Sequence, residues 1–245
     1  MTSPAAVGSG AEPTTLLLVR HASTEWTAAR RVCGGDDAGP ALSDAGVDEA
    51  RRLAKLLGSG DLGALPEPVA VVSSPQLRAR QTADVLAAGL PGLPGLPGLD
   101  GPAVGGRAVG GPAVGGPAVT EDAGWGELRF GAWHGLTYAE VRDGWADAFR
   151  EWAGSTTAVP PGGESLDALT ARVAAATGEL TARHPGAAVL VVTHVGPVRA
   201  AVADALGGAA GAFWRLRVSP ASLTVVRRWP DGGAEVAAVN LGGRL

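Results

Sequence analysis

Three short aliphatic runs, at residues 16–19, 69–72 and 188–192, constrain most strongly what this chain can fold into. Each is too short for a buried helix and has no polar alternation, so each reads as a strand covered on both faces, the habit of parallel sheets. Helical patterns fill the intervals. Ser43 is a fitting N-cap for a helix over 43–57, with Val47, Ala50, Leu53, Ala54 and Leu57 on one face. Ser74 as cap and Pro75 in the first turn open a second helix that fades near Ala88. Short helical stretches follow over 137–153, a long helix over 165–183, and another after Pro197. Further strands are predicted at 213–218, 223–228 and 236–241. Strands alternating with helices predict an α/β three-layer sandwich, its central, mostly parallel sheet covered by helices on both faces.

The 245 residues, 46% of them hydrophobic, suffice for one large core. Residues 1–13 are small and polar and read as a flexible N-terminus. Residues 14–245 read as a single domain interrupted at about 89–119, where Leu-Pro-Gly repeats three times and Pro-Ala-Val-Gly-Gly units follow. A tract with so little to pack predicts a mobile insertion rather than a linker, because the motifs on its two sides belong together. The net charge of −4 is scattered, which argues against nucleic acid or an anionic membrane as the main partner. Cys33 is the only cysteine, excluding an intramolecular disulfide and a cysteine-rich zinc site. With neither a secretory leader pattern nor a bilayer-length apolar run, a cytoplasmic protein is expected. No coiled-coil repeat speaks to oligomeric state.

The chemistry-bearing residues fall at strand ends, where ligands of open α/β sheets sit. The first run ends on Arg20-His21 and the third on Thr193-His194, while the second leads through Ser73-Ser74 into a helix carrying Arg78. Were these strands neighbours, two arginines and two histidines would meet at one edge and suit a tetrahedral dianion. The arginines and a positively charged histidine would hold its oxygens, and the first imidazole would attack in line. The leaving oxygen needs a proton. Glu127, in the loop Gly124-Trp125-Gly126-Glu127-Leu128-Arg129-Phe130-Gly131-Ala132-Trp133-His134-Gly135, is the best acid candidate, although by spacing alone it reads as an ordinary surface glutamate. Tyr138, Trp145, Phe149 and Trp152 beyond it are either a stacking wall or core.

Several ordered motifs together resemble the histidine phosphatase superfamily, the phosphoglycerate-mutase-like enzymes. They are Arg20-His21-Ala22-Ser23-Thr24, Arg30-Arg31-Val32-Cys33-Gly34, Leu42-Ser43-Asp44-Ala45-Gly46, Ser73-Ser74-Pro75-Gln76-Leu77-Arg78-Ala79-Arg80-Gln81-Thr82-Ala83, the Glu127 loop, Gly162-Gly163-Glu164-Ser165 and Thr193-His194. The resemblance implies that His21 becomes phosphohistidine and that Arg20, Arg78 and His194 bind the phosphoryl group. It makes Glu127 the proton donor and then the base for water. It places Thr24, Thr27, Cys33, Gly34 and Val195 around the substrate. It implies a small phosphorylated substrate, no cofactor and no metal, the arginines and His194 supplying the charge.

Some positions depart from the family pattern. Ala22 replaces a glycine, Thr27 an asparagine, Cys33 a glutamine, His134 a glutamate and Val195 a glycine, which implies altered substrate preference with the five central residues kept. Cys33 carries two readings, a thiol whose oxidation inhibits and a small buried hydrophobe. The Glu127 loop looks like the phosphatase branch, so a phosphomonoester hydrolase is expected. The alternatives are mutase-type phosphoryl transfer and a phosphate-ligand-binding or regulatory module without turnover.

Overall fold

A computed structural model describes residues 11–61, 65–89, 119–208 and 210–243. Most of the N-terminal segment 1–13 and nearly all of the expected insertion at 89–119 lie outside the described residues. The three aliphatic runs form the adjacent strands β1 (Thr14–Arg20), β2 (Pro68–Ser73) and β4 (Ala188–Thr193), joined by the short edge strand β3 (Thr120–Glu121) and by β5 (Leu223–Arg228) and β6 (Ala234–Leu241). The order is β3-β2-β4-β1-β5-β6. The pairs among β1 to β4 are parallel and those made by β5 are antiparallel, so the sheet is mixed and mostly parallel.

Alternate side chains of these strands enter two cores. Leu16, Leu18, Val189, Val191 and Val226 pack toward α6 (Leu166–Arg183) and α7 (Val195–Ala205). Leu17, Val19, Leu190, Val192 and Val225 pack toward α2 (Asp44–Ser59) and α3 (Leu77–Gly89). The result is a three-layer α/β sandwich. Each fully buried Leu or Val contributes about 1.5–3 kcal/mol, which is why the central strands carry no polar alternation. Ser43 and Ser165 cap α2 and α6, their hydroxyls accepting from Gly46 N and Ala168 N. Among the described residues no helix is long and apolar enough to cross a membrane.

Two expectations are corrected. The second helix starts at Leu77, three residues beyond Ser74, whose hydroxyl lies 2.6 Å from His194 Nε2 and also bonds Gln76 ahead of the helix. Residues 213–218 are not a strand. The short helix α8 (Ala210–Phe213) gives way to a loop whose Leu216 and Val218 carbonyls accept from Arg199 and Arg20 side chains, leaving them no ladder to join. The remaining helices α1 (Glu25–Ala28), α4 (Tyr138–Gly144) and α5 (Ala146–Gly154) lie over the carboxyl edge with the Glu127 loop.

Candidate active site

Register brings the histidines together. Arg20 pairs with Thr193 across β1 and β4, and Ser73 with Val192 across β2 and β4. The next residues, His21, His194 and Ser74, therefore emerge side by side at the carboxyl edge. The imidazoles of His21 and His194 sit edge to face with centroids 5.1 Å apart.

His21 is 5% exposed and locked at both nitrogens. Nδ1 lies 2.7 Å from the Ala22 carbonyl oxygen, which can only accept, so Nδ1 carries the proton. Nε2 then keeps its lone pair, and Arg78 Nε donates to it at 3.2 Å. The Ala22 N–H in turn donates to Thr82 Oγ1 at 3.1 Å, and that hydroxyl donates to the Arg78 carbonyl at 2.7 Å. Thr82 thus ties the His21 loop to the helix turn that carries Arg78. A Thr82→Val variant leaves the buried Ala22 N–H unpaired and is expected to lose about 1–3 kcal/mol, read as a lower urea midpoint at unchanged slope.

Arg78 is fully buried, its Nη2 donating to the Cys33 and Gly34 carbonyls at 3.2 Å each. Arg20 donates from Nη1 to the Val218 carbonyl at 2.6 Å. His194 Nε2 lies 2.6 Å from Ser74 Oγ and 3.1 Å from Gln76 Oε1. Three buried nitrogens at this edge have no protein partner: Arg20 Nε, Arg78 Nη1 and His194 Nδ1. Burial first, and then the charges of Arg78 and Arg20, hold both imidazoles well below the usual histidine range. The expected positive histidine is therefore neutral in this protein without ligand. A bound dianion would reverse the sign of the field and favour its protonation.

Glu127 is 5% exposed rather than a surface residue. Its carboxylate accepts from Leu128 N at 2.8 Å and from Gly196 N, in the first turn of α7, at 3.2 Å. Burial raises its pKa above the ordinary carboxylate value, although those two N–H groups and the charges of Arg78 and Arg20 pull the other way. A Cβ at Gly196 would stand 2.2 Å from Glu127 Oε1. The carboxylate can swing away, so a Gly196→Ala variant is expected to keep its thermal stability while turnover drops about tenfold or more, as a 1 Å misplacement of a reacting group entails. The loop itself is fixed from α6. Arg172 bonds both Glu164 oxygens, from Nε at 2.8 Å and Nη2 at 3.1 Å, and donates to the Gly124 and Glu127 carbonyls. Glu164 of the Gly-Gly-Glu-Ser motif also accepts from Arg129 N.

A cavity of about 300 Å³ opens from this edge. Arg20, His21, Glu127, Thr27, Cys33 and Val195 line it. Thr24 and Gly34 do not. The Thr24 hydroxyl accepts from Thr27 N and caps α1, and Gly34 contributes its carbonyl to Arg78 and its N–H to His134 Nδ1. Burial pushes the Cys33 thiol up to about 11 against the lowering charge of Arg78, which disfavours the thiolate form that oxidation requires. The aromatics divide. Trp133 is core alone, Trp152 is buried core that also borders the cavity, and Tyr138 lines the cavity together with Phe213, Trp214 and Arg199, three residues that sequence reasoning had not assigned to the site. Arg199 did leave a signal, as the one cation in the apolar sequence of α7. Among the described residues no three His, Cys, Asp or Glu side chains are grouped as metal ligands.

The sequence model of the histidine phosphatase superfamily (branch 1) matches residues 16–95 and 111–241. A Mycobacterium tuberculosis protein described as bifunctional is 34% identical over 244 residues, 100% of this chain and 58% of that protein. The chain thus spans little more than half the length of such curated relatives. Phosphoserine phosphatase 1 of Hydrogenobacter thermophilus is 30% identical over 212 residues, covering 86% of this chain and 85% of that enzyme. Among solved structures, a mycobacterial glucosyl-3-phosphoglycerate phosphatase complexed with VO3 is similar at a TM-score of 0.71 and 26% identity, covering 94% of this chain and 99% of that one.

Proposed function

The chain belongs to the histidine phosphatase superfamily, and from that membership we propose that it hydrolyses a small phosphomonoester through a phosphohistidine on His21. The observation that carries the reading is the pairing of a neutral His21, its Nε2 lone pair kept by the bond from Nδ1 to the Ala22 carbonyl, with buried Arg78 donating to that same nitrogen. Arg78 then turns its donor from the imidazole to the phosphoryl oxygens, which frees the nucleophile as the substrate seats. The names of two relatives, phosphoserine phosphatase and glucosyl-3-phosphoglycerate phosphatase, support a phosphatase and differ in substrate.

In the first step His21 Nε2 attacks phosphorus in line with the departing oxygen. The P–O bond breaks, and protonated Glu127 gives its proton to the leaving alkoxide. Arg20, Arg78 and His194 hold the three non-bridging oxygens, where charge is densest in the transition state. In the second step the Glu127 carboxylate takes a proton from water, whose oxygen attacks phosphorus. The P–N bond breaks, and orthophosphate leaves with His21 neutral and Glu127 protonated again. Cys33 and Val195 beside Thr27 shape the near wall of the substrate cavity.

The test is a panel of phosphomonoesters followed by orthophosphate release. Release that His21→Ala abolishes supports hydrolysis. Transfer of label between positions of a phosphoglycerate without orthophosphate release would instead make the chain a mutase. Binding of the esters with neither outcome would make it a non-catalytic phosphate-ligand module.

A further inference from the structure

We propose that Arg199 forms a second anion subsite in this cavity, selecting phosphomonoesters whose leaving group bears a carboxylate; the inference rests on the phosphatase reading of the same site. Four arginines line the cavity, Arg20, Arg30, Arg31 and Arg199, against one carboxyl group, Glu127. With Glu127 protonated for catalysis, the lining holds no negative charge. Arg20 and Arg78 suffice for the phosphoryl group. Arg199 lies further along α7 than Val195 and Gly196 and lines the same cavity as Arg20 and His21.

The arginine is placed but not neutralised. Its Nε donates to the Leu216 carbonyl at 3.0 Å, and its guanidinium carbon stands 5.7 Å from the Phe213 ring centroid and 5.9 Å from that of Trp214. Of the guanidinium N–H groups those contacts take one. Among the described residues Arg199 joins no ion pair, and its two terminal nitrogens have no acceptor. Its outer fork, the edge that matches a carboxylate bidentately, is therefore unused. Were the residue only a brace for the 213–216 loop, nothing would favour a carboxylate in the ligand.

O-phosphoserine and O-phosphoethanolamine differ by one carboxylate and serve as the probes. In the full chain carrying His21→Ala, which stops turnover, calorimetry is expected to give O-phosphoserine a Kd about tenfold or more below that of O-phosphoethanolamine. Adding Arg199→Gln is expected to bring the two within about twofold, and adding Arg199→Lys instead to restore part of the preference. Matching circular dichroism spectra of the variants establish that each is folded. Equal Kd values in the His21→Ala chain, or a preference that survives Arg199→Gln, would overturn the subsite. Hydrolysis of both esters by the unsubstituted chain is a separate readout, so a phosphatase without preference refutes the subsite alone, and a preference in binding without any hydrolysis refutes the phosphatase reading alone.

Discussion

His21→Ala is expected to lower phosphomonoester turnover by about 10⁴-fold or more, with no phosphoenzyme formed at any substrate concentration. His194 is the neighbouring imidazole, but its Nε2 is engaged with Ser74 and Gln76. Stability at neutral pH should fall, because the variant leaves the buried Arg78 Nε without its acceptor. Equal loss with an activated ester such as p-nitrophenyl phosphate and with an alkyl phosphate separates loss of the nucleophile from loss of the acid, since both leaving groups need the attack.

Glu127→Gln should behave differently. Turnover of an alkyl phosphate is expected to fall about 10²–10⁴-fold, the usual worth of a positioned proton donor. With p-nitrophenyl phosphate the first step needs no acid, so a burst of nitrophenol stoichiometric with enzyme should precede a slow steady state limited by unassisted water. The pH profile follows from the directions of the shifts. His21 must be neutral, and its pKa is lowered well below 6.5, so the nucleophile persists as pH falls through the ordinary histidine range. Glu127 must be protonated, and its pKa is raised above 4.5, so the acid survives to higher pH than an exposed glutamate and is lost as pH rises through that raised value. The plot of kcat/KM against pH should therefore show an acid limb below the usual histidine range and a basic limb above the usual carboxylate range, with the basic limb absent from Glu127→Gln. The second ionisation of the ester itself, near pH ~6, is common to both enzymes and cancels in their ratio.

The legibility of this chain follows from what burial does to sequence. Strands β1 and β4 and the second half of β2 were readable because a strand covered on both faces can only be aliphatic, and their pairing then forced Arg20, His21, Ser74 and His194 to one edge. The helix cap Ser43 was readable because a hydroxyl before an amphipathic run has few other uses, whereas Ser74, read the same way, precedes a helix that starts only at Leu77. Residues 213–218 misled for a related reason. Trp214, Leu216 and Val218 alternate with Arg215 and Arg217 and so imitate a strand, while the Leu216 and Val218 carbonyls that a strand would spend on a ladder go to Arg199 and Arg20. Thr24 has a local task that its position beside an anion-binding loop did not announce: its hydroxyl caps α1, with the Thr27 hydroxyl three residues on completing the capping box.

The burial of Glu127 was not legible at all. Its carboxyl group is enclosed by a backbone N–H of α7 and by a loop braced through Glu164 and Arg172, residues far away in sequence whose only local signs were a Gly-Gly-Glu-Ser motif and an arginine on a helix. Thr82 likewise acts on His21 through the Ala22 N–H, a coupling that no spacing rule reports.

Whether phosphate passes through His21 on its way to water is read by rapid quenching of a single turnover with a labelled phosphomonoester. An acid-labile, base-stable phosphoryl group is expected to appear within the burst, map by mass spectrometry to the peptide containing His21 and decay at the rate of orthophosphate release. Orthophosphate released at full rate with no label on protein, or label on the peptide containing His194 instead, would contradict that route.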